Sequence, residues 1–163
     1  MAEQLRCTLI SRINQRDFWI MDHNIIFHVE SGVEHPFPDE EVKIIEWLKN
    51  VAHSENRQIV QLNFIFCDDE YLLDINIRYL AHDYYTDIIT FPYQEGQLLE
   101  GDMFISLERV RDNASEFKST FDEELRRVMV HGMLHLMGYA DKSETDQQHM
   151  TEKENYYLQF GLN

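Results

Sequence analysis

The sequence predicts an α+β fold: one compact domain built from a single mixed sheet of about four strands and several helices. Three observations carry this. Runs such as Gln58–Cys67 (QIVQLNFIFC) alternate apolar and polar residues at the period of a strand. Other runs repeat apolar residues at helical spacing. The two kinds mix without the strict strand–helix alternation of a doubly wound sheet. A length of 163 residues suits one domain, with roughly two-thirds of the unfolded chain's surface buried on folding.

Each element has its own signal. Residues 1–20 precede a second methionine, Met21, and the pattern starts only after it. They read as an N-terminal extension, with 21–163 as the domain. Asn24–Glu30 (NIIFHVE) alternates as a strand with Ile25, Phe27 and Val29 on one face. Pro36 and Pro38 mark a loop. Asp39 is placed to cap a helix reaching about Ala52, with Val42, Ile45 and Leu48 as its apolar stripe. In Gln58–Cys67, Val60, Leu62, Phe64 and Phe66 share a face. Asp68 or Asp69 opens a helix with Leu72, Ile75 and Tyr79 on one side. Asp87–Tyr93 (DIITFPY) is strand-like, Gln94–Glu100 is a turn around Gly96, and Gly101–Leu107 (GDMFISL) is the last strand. A helix follows from about Glu108 to Phe117. Thr120–Glu123 (TFDE) has the form of a capping box, in which hydroxyl and carboxylate each satisfy a free backbone N–H of the next helix. Leu125, Val128, Met129, Gly132 and Leu136 mark that helix's buried side. Gly138 suits a left-handed C-terminal cap. Residues 144–157 form a final helix.

Composition narrows the function classes. Lys and Arg total 14 against 30 for Asp and Glu, a net charge of −16. That balance disfavours non-specific binding to nucleic acid, which depends on neutralising phosphates. The only cysteines are Cys7 and Cys67. Cys67 ends an apolar run and reads as a small core residue. No apolar run is long enough to span a bilayer, and Arg6, Arg12 and Arg16 break any signal-peptide core. The expected location is the cytoplasm.

The chemistry concentrates on residues 131–141 (HGMLHLMGYAD). Two histidines four apart stand one turn above each other, so His131 and His135 can reach one metal ion, as in the zincins. The plain alternative is two half-buried core histidines, because His-x-x-x-His alone is common. One helix cannot supply a third ligand. The chain must turn back, which Gly138 permits, and Asp141 follows three residues later. Two imidazoles and one carboxylate leave a fourth position open, the catalytic pattern of zinc. Zinc proteases carry a Glu directly after the first His. Gly132 stands there instead, which argues against peptide hydrolysis and lets another element approach closely.

The motif residues resemble the YbeY endoribonucleases. Residues 131–139 read HGMLHLMGY against the family's His-Gly-x-Leu-His-Leu-x-Gly-Tyr. Ile75–Pro92 (INIRYLAHDYYTDIITFP) is similar to a second family block, on which Asn76, Tyr79, Asp83, Thr86, Asp87, Phe91 and Pro92 fall. Gly101–Ser106 (GDMFIS) is similar to a third. The blocks come in family order and the likeness spans roughly residues 22–160. It implies a compact α+β domain that binds one zinc ion and cleaves single-stranded RNA. It further implies action on the 3′ end of small-subunit ribosomal RNA, in ribosome quality control, and contact with the small subunit.

Two positions depart from the family. A third histidine is usual where this chain has Asp141; His149 is the alternative ligand, off the motif. The family's active-site arginine is replaced by Leu80. Arg127 stands one turn before His131 and is the candidate phosphate clamp, with His82 and Arg78 as alternatives. An ordinary surface arginine is the plain reading of Arg127. Arg109, Arg111, Lys118, Arg126 and Arg127 form a basic stretch that can serve as an RNA face. Tyr79, Tyr84, Tyr85 and Phe91 are candidates to stack on bases, or else core rings. Thr86 and Asp87 are expected to fix their loop, and Asp102 is ambiguous between structure and function. Two rival functions follow: a ribosome-assembly factor with a structural metal, and a metal hydrolase of another substrate.

Overall fold

The computed structural model describes residues 24–30, 32–94 and 96–160. Cys7, Met21 and the extension at 1–20 lie outside them. The described chain is an α+β domain whose four strands stand in the order β1-β2-β4-β3. These are β1 (Ile25–Val29), β2 (Gln58–Cys67), β3 (Ile88–Pro92) and β4 (Leu98–Ser106). β1 and β4 both run parallel to β2, while β3 is antiparallel to β4. The sheet is therefore mixed.

Five α-helices flank it: α1 (Glu41–Ser54), α2 (Asp69–Ile75), α3 (Leu107–Phe117), α4 (Phe121–Leu136) and α5 (Glu144–Gln159). Residues of α1, α3, α4 and α5 pack with Leu62, Phe64, Phe66, Met103 and Ile105 into the main core. A smaller core joins Leu72 and Ile75 of α2 to Ile65, Cys67 and Phe104 on the opposite face. The two central strands are thus covered on both sides, as parallel strands usually are. Phe64 to Cys67 and Leu99 to Ser106 are buried without a break. The expected alternation holds only at the open end of β2. There a register shift between Ile59 and Gln61 moves Val60 outward and Ile59 inward. Gaining one residue reverses which face each side chain occupies.

Several expected boundaries move. Glu40, not Asp39, precedes α1, and its side chain makes no capping bond. The buried stripe of α1 is Ile44, Trp47, Leu48, Val51 and Ala52, with Val42 exposed. β4 begins at Leu98, inside the expected turn, because Gln58 and Ile59 pair with Leu98 and Leu99. Thr120 caps α4 by accepting from the Glu123 amide, but the reciprocal half of a capping box occurs at Ser143 and Asp146, before α5. Past Ile75 the helix widens to a π-helical turn, Asn76–Leu80, stopped by Ala81 at φ 58°. The π turn keeps Tyr79 half-buried against Phe91 and leaves Leu80 exposed.

Glycines set how closely α4 approaches the sheet. A Cβ on Gly132 would lie 2.6 Å from Ile88 Cδ1 and 3.1 Å from Met103 Sδ. A Cβ on Gly101 would lie 2.7 Å from the Phe91 carbonyl and 2.9 Å from Leu136 Cδ2. The first neighbour is the end of a flexible side chain; the second is backbone. Gly101→Ala is expected to cost about 2 kcal/mol, near the middle of the range for overpacked cores. That lowers the melting temperature by roughly 4–8 °C. Gly132→Ala is expected to cost less, because Ile88 can rotate and alanine gains about 1 kcal/mol in helix propensity. Thermal unfolding of both variants checks the order.

Candidate metal centre

α4 ends beside the centre in a Schellman turn. The Gly138 amide donates to the His135 carbonyl (3.0 Å) and the Tyr139 amide to the Leu134 carbonyl (3.0 Å). Gly138 takes φ 96°, the left-handed conformation expected of it. The turn carries Asp141 back over the histidines.

His131, His135 and Asp141 each offer one ligand atom, all within 4.8 Å of one another. The two Nε2 atoms are 2.9 Å apart. Asp141 Oδ2 lies 3.5 Å from His135 Nε2 and 3.9 Å from His131 Nε2. Ligands about 2.0–2.1 Å from a tetrahedral ion stand about 3.3 Å from one another, so these separations bracket what an ion requires. His149 is not part of the group; its ring packs on Tyr139 with centroids 5.3 Å apart.

The far side of each ring is held. His135 Nδ1 lies 2.9 Å from the Tyr139 carbonyl, which can only accept, so Nδ1 carries a proton and Nε2 is the nitrogen left to face an ion. His131 Nδ1 lies 2.8 Å from Glu154 Oε1 on α5. Carboxylate and carbonyl partners of this kind orient metal-binding imidazoles and raise their basicity. Burial works against a charge on His131, but the bond and charge of Glu154, with Asp87 and Asp141 nearby, outweigh it and raise the pKa. The two Nε2 atoms face each other across the position that a shared ion would occupy.

Glu154 was not legible in the sequence. It is buried, and its second oxygen accepts from Arg127 Nη1 at 3.2 Å. Arg127 also donates to Asn155 Oδ1 (3.0 Å) and stands 3.8 Å from Glu124. The expected phosphate clamp is therefore engaged with α5, where it neutralises Glu154. Standing one turn before His131, Arg127 reaches the same carboxylate that His131 does, and α5 supplies it.

The remaining expected residues divide. His82 stacks on Tyr84, with Nδ1 3.0 Å from the phenol oxygen. Arg78 pairs with Asp74 at 2.7 Å. Tyr79 and Phe91 pack together in the smaller core, whereas Tyr84 and Tyr85 are exposed. Asp87 accepts from Asn113 (3.1 Å) and Thr86, fixing the loop before β3. Asp102 is buried and accepts from Asn63 (2.7 Å) and Tyr93. In the basic stretch, Arg109 pairs with Asp69 and Asp112, Arg111 lies over Phe121, and Arg126 donates to the Asp122 carbonyl. Among the described residues, no helix is long and apolar enough to cross a membrane.

The family described as Endoribonuclease YbeY matches residues 32–160. Endoribonuclease YbeY of Flavobacterium psychrophilum is 52% identical over 119 residues, 73% of this chain and 85% of that relative. The protein of the same name from Amoebophilus asiaticus is 46% identical over 136 residues, 83% of this chain and 91% of the relative. Among solved structures, the solution structure of TM1509 from Thermotoga maritima is similar with a TM-score of 0.61 and 28% identity. It covers 83% of this chain and 87% of that one.

Proposed function

From the premise that the chain belongs to the endoribonuclease YbeY family, we propose that it is a zinc-dependent, single-strand-specific endoribonuclease. Its proposed substrate is the 3′ end of small-subunit ribosomal RNA, met on the small subunit in the cytoplasm during maturation and quality control. The observation that supports this reading is the convergence of His131, His135 and Asp141 with both Nδ1 atoms already occupied. That donor set has the composition of a catalytic zinc site with one open position.

When bound, the ion supplies Lewis acidity toward a phosphoryl oxygen and the attacking group. The residues of the chain do the rest. His131 and His135 present Nε2, and Asp141 presents a carboxylate whose charge tempers that acidity relative to three imidazoles. Glu154 holds His131, and Arg127 holds Glu154 in place. Gly132 leaves no carboxylate where a zinc protease has its general base. Tyr84 and Tyr85 offer exposed rings for unpaired bases. His82, beside Tyr84, is the candidate to steady a phosphate.

The charge pattern predicts how RNA is held. With a net charge of −16, and with Arg78, Arg109 and Arg127 each paired to a carboxylate, the protein offers phosphates little net attraction. Single strands give a log–log salt slope of about −0.7 per neutralised phosphate. A slope no steeper than about −2 is expected for an unpaired RNA fragment. A slope near −5 would mean that phosphate contacts dominate after all.

One observation favours a second reading, a ribosome-assembly factor with a structural metal. Leu80 is exposed where the family has its active-site arginine, and neither Arg78 nor Arg127 is unpaired. Metal content and cleavage of an unpaired rRNA fragment, measured on one preparation, decide between the two. Metal with cleavage supports the nuclease. Metal without cleavage supports the assembly role, and protein purified without chelator that holds no metal removes both. Iron or manganese in place of zinc would keep the ligands and change the ion.

A further inference from the structure

The segment between the second histidine and Asp141 is gripped by residues distant in sequence, in the turn that follows α1. Glu55, just past the end of α1, accepts from Tyr139 Oη through Oε2 at 2.7 Å. Its other oxygen accepts from Lys153 Nζ at 2.7 Å and from Tyr157 Oη. Lys153 also lies 5.4 Å from the centre of the Tyr139 ring. Two residues on, Arg57 Nη2 donates to the Met137 carbonyl at 3.0 Å and Nη1 to the Gly96 carbonyl at 2.6 Å. The turn between α1 and β2 thus holds the loop at Met137 and at Tyr139.

Tyr139 is the point of interest because it has two ends. Its phenol is bound by Glu55, and its carbonyl accepts from His135 Nδ1. The carbonyl decides which nitrogen of His135 faces the metal and in which direction. A tyrosine anchored only by its backbone would let that carbonyl rotate with the loop, and Asp141, two residues later, would move with it.

We infer that Glu55 is a positioning residue for the metal centre, acting through Tyr139 on both His135 and Asp141. This rests on the metal reading above. It requires no contact between Glu55 and the ion or the substrate. The arrangement is an outer-shell chain with one more link than the Glu154–His131 contact. Partners in that shell are worth roughly 10–100-fold in metal affinity.

The test is zinc affinity, measured by competition with a chromophoric chelator, on wild type, Glu55→Ala, Glu55→Gln, Tyr139→Phe and the double variant Glu55→Ala/Tyr139→Phe. Circular dichroism establishes that each is folded. Tyr139→Phe keeps the ring and its packing, so it remains informative where Glu55→Ala fails to fold. Glu55→Ala and Tyr139→Phe are each expected to weaken zinc binding about tenfold. Glu55→Gln retains an acceptor for the phenol and is expected to lose less.

The double variant is decisive. If Glu55 acts through Tyr139, removing both costs no more than removing one, because neighbours in one network are not additive. The visible spectrum of the cobalt-loaded protein is expected to change alike in both single variants. Additive losses, or unchanged affinity in Tyr139→Phe, overturn this inference and leave the metal site standing. A wild-type protein that binds none of zinc, cobalt, iron and manganese overturns the metal reading, and this inference with it.

Discussion

Replacing His135 by alanine is expected to abolish stoichiometric metal binding and to lower cleavage of unpaired RNA by at least about 100-fold. The lower bound follows from what outer-shell partners alone are worth, since loss of a direct ligand must cost more. His131→Ala is expected to do the same. Neither should unfold the protein. Both rings are partly exposed on one side of α4, and the core side of that helix is made by Leu125, Val128, Met129, Met133 and Leu136. Removing His131 also leaves Glu154 with Arg127 as its charged partner, so no buried carboxylate is stranded. The measurement is metal content by elemental analysis beside single-turnover cleavage. Undiminished cleavage by either variant would remove the histidines from the chemistry. Asp141→Asn separates the ligand set further: it keeps an oxygen but not the charge, and is expected to weaken metal binding while sparing the fold.

The second large effect concerns Glu154. Glu154→Ala removes the acceptor of His131 Nδ1 and the carboxylate partner of Arg127 in one step. Metal affinity is expected to fall by roughly 10–100-fold. Stability should fall as well, because Arg127 is left beside Glu124 and Asn155 alone and half-buried. Glu154→Gln is the informative companion. It keeps an oxygen for Nδ1 but removes the charge that favours a basic imidazole, so it should lie between wild type and alanine in affinity. Chelator competition and denaturant unfolding on the same samples separate the two losses. Equal metal affinity in wild type and Glu154→Ala would mean that His131 is oriented by the helix alone. Arg127→Ala should reproduce part of the effect at a distance, which a phosphate clamp would not do in the absence of RNA.

What the sequence by itself determined is local. Helical period put His131 and His135 on one face, and Gly138 with its left-handed requirement brought Asp141 back to them. Three residues and one turn suffice, because every constraint acts within a few positions of the chain. The same holds for the strands and for most helices, whose apolar spacing is a short-range pattern. Where the pattern misled, packing from elsewhere intervened. The register shift in β2 exposed Val60, pairing with β2 extended β4 to Leu98, and the π turn bent the helix after Ile75.

Only the tertiary structure decided what surrounds the candidate metal ligands. Glu154 meets His131 across 23 residues, and Glu55 meets Tyr139 across 84. A glutamate on an acidic helix carries no mark of its partner, since 30 acidic residues offer the same side chains. Arg127 shows the difference most plainly. Its spacing from His131 is that of a neighbour on one helical face, and the sequence leaves open whether it turns to solvent, to substrate or to the core. The docking of α5 supplies Glu154, and a charge held at 3.2 Å beside a half-buried guanidinium is a stronger claim on it than water. Ligands close in sequence are set by backbone geometry; their supports are set by which surfaces fold against each other.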